Sequence, residues 1–305
     1  MRKRKNKSGN SNLEGFMFAL PWILGFLFFS IYPIFMSGFY SFTNFSAIKK
    51  PTWIGFSNYQ SLFQDPLFYK SLSNTFRYVI YSIPLIIILS LFLASLLNLK
   101  IRFQSVFRSI FFLPAVIPAV ASTMIWIWML EPMGGFINRF LGLFGFPGMN
   151  WLGDPRYTMS SVVLITLWGV GTTVIIFLAS MQDVPRELYE SAEIDGAGKV
   201  SQFFYITIPS ISHMILYQVI LGIINGFQIF TQVYIMITSQ SGVLKGSLGG
   251  GPQDSLLMYP LYLYQNAFAL LRMGRAAAMA WILFLIVGFI TFLLIKTTKR
   301  YIGIQ

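Results

Sequence analysis

Six apolar stretches, each at least 20 residues long and free of Lys, Arg, Asp and Glu, constrain this chain more than any other feature. An α-helix rises 1.5 Å per residue, so about 20 residues cross the ~30 Å hydrocarbon core of a bilayer. Only 10% of the residues are charged, against about 25% in soluble domains. The sequence predicts an all-α integral membrane protein with six transmembrane helices at residues 15–42, 78–97, 109–130, 159–181, 211–237 and 276–295.

A single membrane domain is the predicted organisation. Residues 1–14 form a basic tail, and residues 15–305 form one six-helix domain with loops at 183–209 and 238–275 on opposite sides. The first apolar stretch far exceeds the 7–15 residues of a signal-peptide core, so we expect it to remain as a helix. Prolines within spans are tolerated when neighbouring helices satisfy the freed carbonyls, and we expect kinks there. The prolines concerned are Pro21, Pro33, Pro84, Pro114 and Pro118.

Basic residues are unevenly divided between the two sides of the predicted helices. Thirteen of the 22 Lys and Arg residues lie in the termini and short loops of one side, and nine are spread over three longer loops on the other. The positive-inside rule places the more basic side, with both termini, in the cytoplasm. The net charge of +12 is thus a topology signal, and we expect the lipid bilayer as its partner and no nucleic acid.

Few residues could carry enzyme chemistry. The chain has no cysteine and a single histidine, His213, so we expect no disulfide, thiol chemistry or metal site. Gly196-Ala-Gly-Lys199 lacks the earlier glycine and the following Ser or Thr of a phosphate loop, and Gly169-Val-Gly171 lacks the third glycine of a dinucleotide motif. The prediction is a chain that is not an enzyme and binds no cofactor.

The loop at 183–209 concentrates acidic residues on the side that the positive-inside rule makes basic. It holds five of the ten in the chain: Asp183, Glu187, Glu190, Glu193 and Asp195. Asp183 with Pro185 predicts a helix start, and Gly196 with Gly198 predicts a left-handed stop.

A second short helix is predicted from about Lys199 toward Ile206, ending at Pro209. Leu188, Ala192 and Ile194 give the first helix an apolar component. Short amphipathic helices of this kind are typical of segments that insert into a groove on a partner.

The order of residues in this loop resembles a family signature. Glu190-Ser191-Ala192, three residues, Gly196, nine residues and Ile206-Thr207-Ile208-Pro209 match the spacing of the EAA motif in permease subunits of binding-protein-dependent ABC importers, with Ser191 and Ile208 as departures. The resemblance implies a type I ABC importer permease fold. It also implies that residues 183–209, hereafter the EAA-like loop, dock into a cleft of a cytoplasmic ATPase subunit. The residues carried over as ATPase contacts are Glu190, Ser191, Ala192, Asp195 and Gly196.

Other segments are similar to the carbohydrate branch of that family, the maltose- and glycerol-phosphate-type permeases. They include Gly55-Phe-Ser-Asn-Tyr59, Asn150-Trp-Leu-Gly-Asp-Pro155 and Met273-Gly-Arg-Ala-Ala-Ala278. The resemblance implies a bacterial inner-membrane complex with a second homologous permease, as a heterodimer, and two ATPase subunits that bind ATP and Mg. A sugar or oligosaccharide would arrive from an extracytoplasmic solute-binding protein. The external loop residues implied in contacts are Gly249, Gly250, Gly251 and Pro252.

A polar stripe on the fifth predicted helix is the candidate substrate pathway. Gln218, Asn225, Gln228 and Gln232 fall within an arc of about 80° at 100° per residue. Two explanations of such a stripe are equally good. One is interhelical hydrogen bonding, worth about 0.6 kcal/mol per contact, and the other is a set of amides that bind sugar hydroxyls. The family resemblance favours the pathway, and the neighbours assigned to it are Tyr217, Trp168 and Thr172.

Two alternatives to an ATP-driven importer remain open from the residues. One is an ATP-independent six-helix transporter or channel. Ion-driven carriers usually keep ionisable groups within the bilayer, where each costs at least ~2.5 kcal/mol, and besides tyrosines the predicted helices contain only His213. The other is an intramembrane enzyme or a scaffold. No metal or nucleophile cluster supports the enzyme, and a scaffold would leave transport intact when the amides are changed.

Overall fold

The computed structural model describes residues 8–48, 50–99, 102–240 and 249–302, and these residues are predominantly helical. In chain order the α-helices are α1 (Ser8–Phe26), α2 (Tyr32–Ser41), α3 (Ser57–Phe63), α4 (Pro66–Asn98), α5 (Gln104–Val116), α6 (Ala119–Met129), α7 (Phe136–Gly142), α8 (Pro155–Trp168), α9 (Gly171–Gln182), α10 (Arg186–Ile194), α11 (Lys199–Gln202), α12 (Ile208–Ser210), α13 (Ser212–Phe227), α14 (Thr231–Gln240), α15 (Tyr259–Tyr264) and α16 (Met273–Ile302). Five-residue π-helical segments lie at Leu27–Ile31, Phe203–Thr207 and Gln265–Ala269, and a 3₁₀ turn lies at Pro252–Asp254.

Four helical stretches in the described residues are long and apolar enough to cross a membrane: Gly15–Ser41, Pro66–Asn98, Ser212–Ser239 and Met273–Thr297. Two further candidates are bent pairs. Helices α5 and α6 meet at 98°, and helices α8 and α9 meet at 51°. The six predicted spans are therefore found only if each bent pair counts as one crossing.

The sharper bend lies at a proline, as the sequence predicts. Ile117, which precedes Pro118, is extended with φ −70° and ψ 129°, because the proline ring disfavours the helical conformation in the residue before it. Helix α4, in contrast, continues through Pro84. It also begins at Pro66, well before the predicted start at residue 78, because the Asp65 side chain accepts a hydrogen bond from the Leu67 amide at 2.9 Å and caps the helix.

The chain divides into two compact units, of which the first comprises the described parts of residues 1–64 and 266–282. Within it, the chain after α2 is held from two directions. The Asn58 amide donates to the carbonyls of Ser41 and Thr43 at 2.8 and 2.9 Å. Gly274 donates its N–H to the Phe45 carbonyl at 3.0 Å, and a Cβ added there would lie 2.1 Å from the Thr43 oxygen. Asn58 and Gly274 belong to two of the segments that resemble the carbohydrate branch, and both therefore hold the backbone at residues 41–45.

The second unit comprises the described parts of residues 65–265 and 283–305. Helix α4 lies at its centre and packs against α8, α9, α13 and α15. Glycines bring α13 close to α4: an added Cβ at Gly226 would lie 3.0 Å from the Val79 side chain. The EAA-like loop, the polar stripe and the described residues 249–265 of the 238–275 loop all belong to this unit.

Candidate functional site

The EAA-like loop begins with helix α10. The helix starts at Arg186, and Pro185 occupies the position before it without any side-chain cap. The prediction that Asp183 starts this helix is wrong. Asp183 ends the preceding helix instead, because its N–H still bonds the Ala179 carbonyl at 3.2 Å.

Gly196 ends helix α10, as predicted. Its φ is +79°, and the two hydrogen bonds of a Schellman motif surround it: Ala197 N–H to the Ala192 carbonyl at 2.8 Å and Gly196 N–H to the Glu193 carbonyl at 3.1 Å. Gly198 plays no such part, because its φ is −71°. The predicted left-handed stop is therefore supplied by Gly196 alone.

Side chains fix the second helix against the first. Lys199 forms an ion pair and hydrogen bond with Glu193, which lowers the pKa of the Glu193 carboxyl. The Gln202 amide donates to the Ala197 carbonyl at 3.1 Å, and the hydroxyls of Tyr189 and Thr207 lie 2.8 Å apart. The two short helices therefore form one hydrogen-bonded unit.

The prediction that Pro209 ends the second helix is also wrong. Helix α11 passes through the π-helical segment Phe203–Thr207 into α12, which contains Pro209 and ends at Ser210. A proline in a regular helix clashes with the carbonyl four residues earlier. The wider π-helical segment before Pro209 changes the hydrogen-bond register there and accommodates the ring.

Apolar side chains on this loop face outward. Leu188, Ile194 and Val200 are 47%, 88% and 73% exposed. Of the five residues assigned to ATPase contacts, Ala192 is half-buried and the other four are exposed: Glu190, Ser191, Asp195 and Gly196. The structure thus brings all five together on α10 and its terminal turn, and their docking role remains a prediction.

The polar stripe is less regular than the sequence predicts. Helix α13 ends at Phe227, residues 228–230 are not helical, and Gln232 lies on the next helix. The arc calculated for one continuous helix therefore does not apply across the break. Phe227, the last residue of α13, is buried against Phe76 of α4 with ring centroids 4.9 Å apart.

The assigned pathway residues differ in exposure. Gln218 is buried, Gln232 and Trp168 are half-buried, and the other four are exposed: Asn225, Gln228, Tyr217 and Thr172. Several of them flank helix breaks: Trp168 and Thr172 lie on either side of the α8–α9 bend, and Gln228 lies in the α13–α14 break. Broken helices commonly form substrate sites in transporters. Their assignment to the pathway remains a prediction.

Trp126 is a further candidate that the sequence analysis did not assign to the pathway. Its ring on α6 meets the Trp168 ring edge-on at 6.0 Å, and its indole N–H is buried without a hydrogen-bond partner among the described residues. The sequence signal was a tryptophan in an apolar run, which by itself predicts only a lipid-facing or packed ring.

The glycines assigned to external contacts have structural roles. Gly251 has φ +76°, and an added Cβ at Gly250 would lie 2.4 Å from that of Leu257. The Gly250 N–H donates to the Asp254 carboxylate at 3.0 Å, and the Gln265 amide donates to the Gly249 carbonyl at 3.2 Å. These residues and Pro252, which starts the 3₁₀ turn, form a tight turn, while the preceding residues 241–248 lie outside the described part. Contacts of this loop with other molecules remain a prediction.

Helix α4 anchors this turn through residues that sequence reasoning missed. The Asn74 amide donates to the carbonyls of Asp254 and Leu257 at 2.8 and 3.1 Å. The Thr75 hydroxyl accepts from the Tyr259 N–H at 2.8 Å. No signal in the sequence joins Asn74 to a loop 180 residues away.

Replacing Asn74 by alanine is expected to loosen the turn without unfolding the chain. The change leaves two carbonyls without their donor, at about 1–3 kcal/mol for each that stays buried. Hydrogen exchange of the amides at 254–259 should then accelerate at least tenfold, as measured by mass spectrometry in detergent. Asn44→Ala, at an exposed asparagine, is the matched control and should leave this exchange unchanged. Equal rates in the two variants would contradict the anchoring role.

Comparison with known proteins identifies the class. The profile of the family described as binding-protein-dependent transport system inner membrane component matches residues 82–300. The chain belongs to this family, and it is a multi-pass membrane subunit of a transport system and not an enzyme. The predicted resemblance of the chain to permease subunits of binding-protein-dependent importers is thereby confirmed.

Individual relatives agree over nearly the whole chain. The probable ABC transporter permease protein YesP of Bacillus subtilis (strain 168) is 35% identical, over 98% of this chain and 95% of its own. The arabinooligosaccharides permease AraP of the same organism is 31% identical, over 94% and 89%. The lactose permease LacF of Rhizobium radiobacter is 31% identical, over 92% and 93%.

Solved structures show the same fold. A chain of a bacterial alginate ABC transporter, in complex with an alginate pentasaccharide-bound periplasmic protein, is similar with a TM-score of 0.79. It is 20% identical, and the match covers 98% of each chain. The predicted all-α fold of an ABC importer permease is confirmed.

Proposed function

We propose that this chain forms part of the membrane passage through which a sugar or oligosaccharide is imported, with the energy supplied by ATP hydrolysis on partner subunits. The single observation that carries the proposal is the EAA-like loop, with its family spacing and its exposed apolar residues. Relatives named for arabinooligosaccharides and lactose support a carbohydrate substrate. A pathway lined by uncharged amides suits an uncharged polyhydroxyl ligand.

The proposed complex contains a second homologous permease, two ATPase subunits and an extracytoplasmic solute-binding protein. ATP and Mg bind to the ATPase subunits, and this chain binds no cofactor. The EAA-like loop and both termini face the cytoplasm, which is supported by the thirteen basic residues on that side. The exposed side chains of Leu188 and Ile194 fit a groove on the ATPase.

Coupling follows from how the loop joins the spans. Helix α10 is separated from α9 by residues 183–185 only, and α11 leads through α12 toward α13. The Tyr189–Thr207 hydrogen bond ties the two sides of the loop. A displacement of α10 by the closing ATPase dimer would therefore be passed to two spans at once, which suits rigid-body alternating access.

Reconstitution of the purified complex tests the function. Gentle isolation from the native membrane should recover an ATPase, a second permease and a solute-binding protein, identified by mass spectrometry. In proteoliposomes, uptake of the sugar bound by that solute-binding protein should require ATP and survive collapse of the ion gradients. Uptake that survives ATP depletion and stops when the ion gradient collapses would instead establish the ATP-independent alternative.

Leucine in place of Asn225 and Gln228 is expected to reduce uptake at least tenfold. Asn225 lies in the last turn of α13 and Gln228 in the break after it, and both side chains are exposed, so their amides can bind hydroxyls. Initial uptake rates and stimulated ATPase activity are measured on the double variant. Gln60→Leu, at an exposed amide of α3, serves as the control with unchanged uptake. Full uptake by the double variant would show that these two residues are not part of the pathway and would favour a packing role.

A further inference from the structure

An aromatic surface lies in the segment that follows helix α6. It has no part in the proposed transport mechanism. It comprises the exposed side chains around helix α7, which are between 49% and 97% exposed. We call it the α7 apolar face, and its members are Met133, Phe136, Phe140, Leu143, Phe144 and Phe146. The rings of Phe136, Phe140 and Phe144 follow one another at centroid distances of 6.3 and 5.3 Å, so the face is continuous.

The opposite side of α7 is tied to the chain by polar contacts. The Asn138 amide donates to the Met149 carbonyl at 2.8 Å, and its oxygen accepts from the Trp151 indole at 2.8 Å. Ile137 and Leu141 are half-buried on the same side. The outward direction of the α7 apolar face is therefore fixed by the fold.

These contacts also fix the position of α7 relative to the start of α8. The Trp151 carbonyl accepts a hydrogen bond from Ser161 at 2.8 Å, in the second turn of α8. Counted as one crossing, the bent pair of α8 and α9 ends at the EAA-like loop, so α8 begins this crossing at the opposite end. Helix α7 thus lies where a span leaves the hydrocarbon, which is the level of the headgroups.

The turn before α7 fixes the direction in which the chain passes from α6 into α7. A Cβ added at Gly135 would lie 2.4 Å from the Glu131 carbonyl oxygen, so the chain turns sharply there. The Glu131 carboxylate accepts from the Gly134 N–H at 2.9 Å within the turn. Between residues 132 and 153 there is no acidic residue, and Arg139 is the one basic residue.

We propose that helix α7 is an interfacial membrane anchor whose apolar face is immersed in the lipid leaflet at the end of the spans opposite the EAA-like loop. Helices with aromatic and aliphatic residues on one face enter the headgroup boundary by about 5–10 Å. Contiguous exposed apolar patches mark protein or membrane contacts, and continuity with the spans makes the bilayer the nearest apolar phase. The helix then holds the ends of α6 and α8 at a fixed depth while the rest of the protein rocks.

Spin labels in the full complex test the position directly. This chain has no cysteine, so Phe136→Cys and Phe140→Cys each provide a single attachment site on it, and the partner subunits are used in cysteine-free form. Collision rates with lipid-soluble oxygen and with a water-soluble nickel chelate are measured in phosphatidylcholine–phosphatidylglycerol vesicles by electron paramagnetic resonance. We expect the oxygen-to-nickel ratio at both sites to exceed that at Lys50→Cys, an exposed loop position, at least threefold.

The inward position Ile137→Cys is the matched control on the same helix and should be shielded from both reagents. Labels at Phe136 and Phe140 that resemble Lys50→Cys would place the face in water and overturn the proposal. Labels shielded from both reagents would place it under another subunit. Shielding that develops only when the solute-binding protein is added would assign the face to that protein. Each of these results is independent of which sugar is transported.

Discussion

Alanine at Gly171 is expected to destabilise the protein by about 3 kcal/mol and to lower the Tm by roughly 10 °C. A Cβ at this position would lie 2.3 Å from the Phe111 carbonyl oxygen and 2.9 Å from the Phe112 Cα. Both are backbone atoms, so helix α5 itself has to move away from α9. Thermal unfolding in detergent, followed by size-exclusion chromatography, measures the loss.

Gly288→Ala is the matched control, because Gly288 also lies within a span but an added Cβ would meet nothing within 4 Å. Alanine has the higher helix propensity by about 1 kcal/mol, so this variant should be at least as stable as the original chain. A Tm for Gly171→Ala within one or two degrees of that for Gly288→Ala would show that α5 and α9 do not cross as closely as described.

Gly171 also illustrates what the sequence could and could not predict. The spans follow from apolar length alone, since crossing the bilayer requires about 20 residues, and the bend at Pro118 follows from proline chemistry. The close approach of α5 to Gly171 of α9 and the packing of Phe227 against Phe76 both join residues of different helices. A pattern within one segment contains no information about such neighbours.

The same distinction between local and long-range contacts applies within the candidate site. The turn at Gly196 was predictable because its hydrogen bonds join residues at most five positions apart. The hydrogen bonds from Asn74 to the turn at 249–257 could not be predicted, because the partners of Asn74 are 180 and 183 residues away. Local motifs are therefore visible in a sequence, whereas contacts that close long loops require the fold.

Valine at Gly196 is expected to uncouple the transporter while leaving the spans intact. Gly196 has φ +79°, a conformation that costs other residues roughly 1–2 kcal/mol and is worst for β-branched side chains. Relief of the strain breaks the Ala197–Ala192 hydrogen bond and changes the angle between α10 and α11. Since 1.4 kcal/mol corresponds to a tenfold change in affinity, we expect about tenfold weaker association with the ATPase subunits and a comparable loss of uptake.

Gly198 provides the control two residues away in the same loop. Its φ is −71°, and neither glycine has any atom within 4 Å of an added Cβ. Gly198→Val therefore introduces the same side chain into the same loop without backbone strain. The ratio of ATPase to permease after affinity purification and the initial rate of uptake are compared for the two variants. Loss in Gly196→Val alone assigns coupling to the left-handed turn. Equal losses in both variants would show that the side chain itself obstructs docking. Full activity in both variants would exclude the Gly196 turn from coupling.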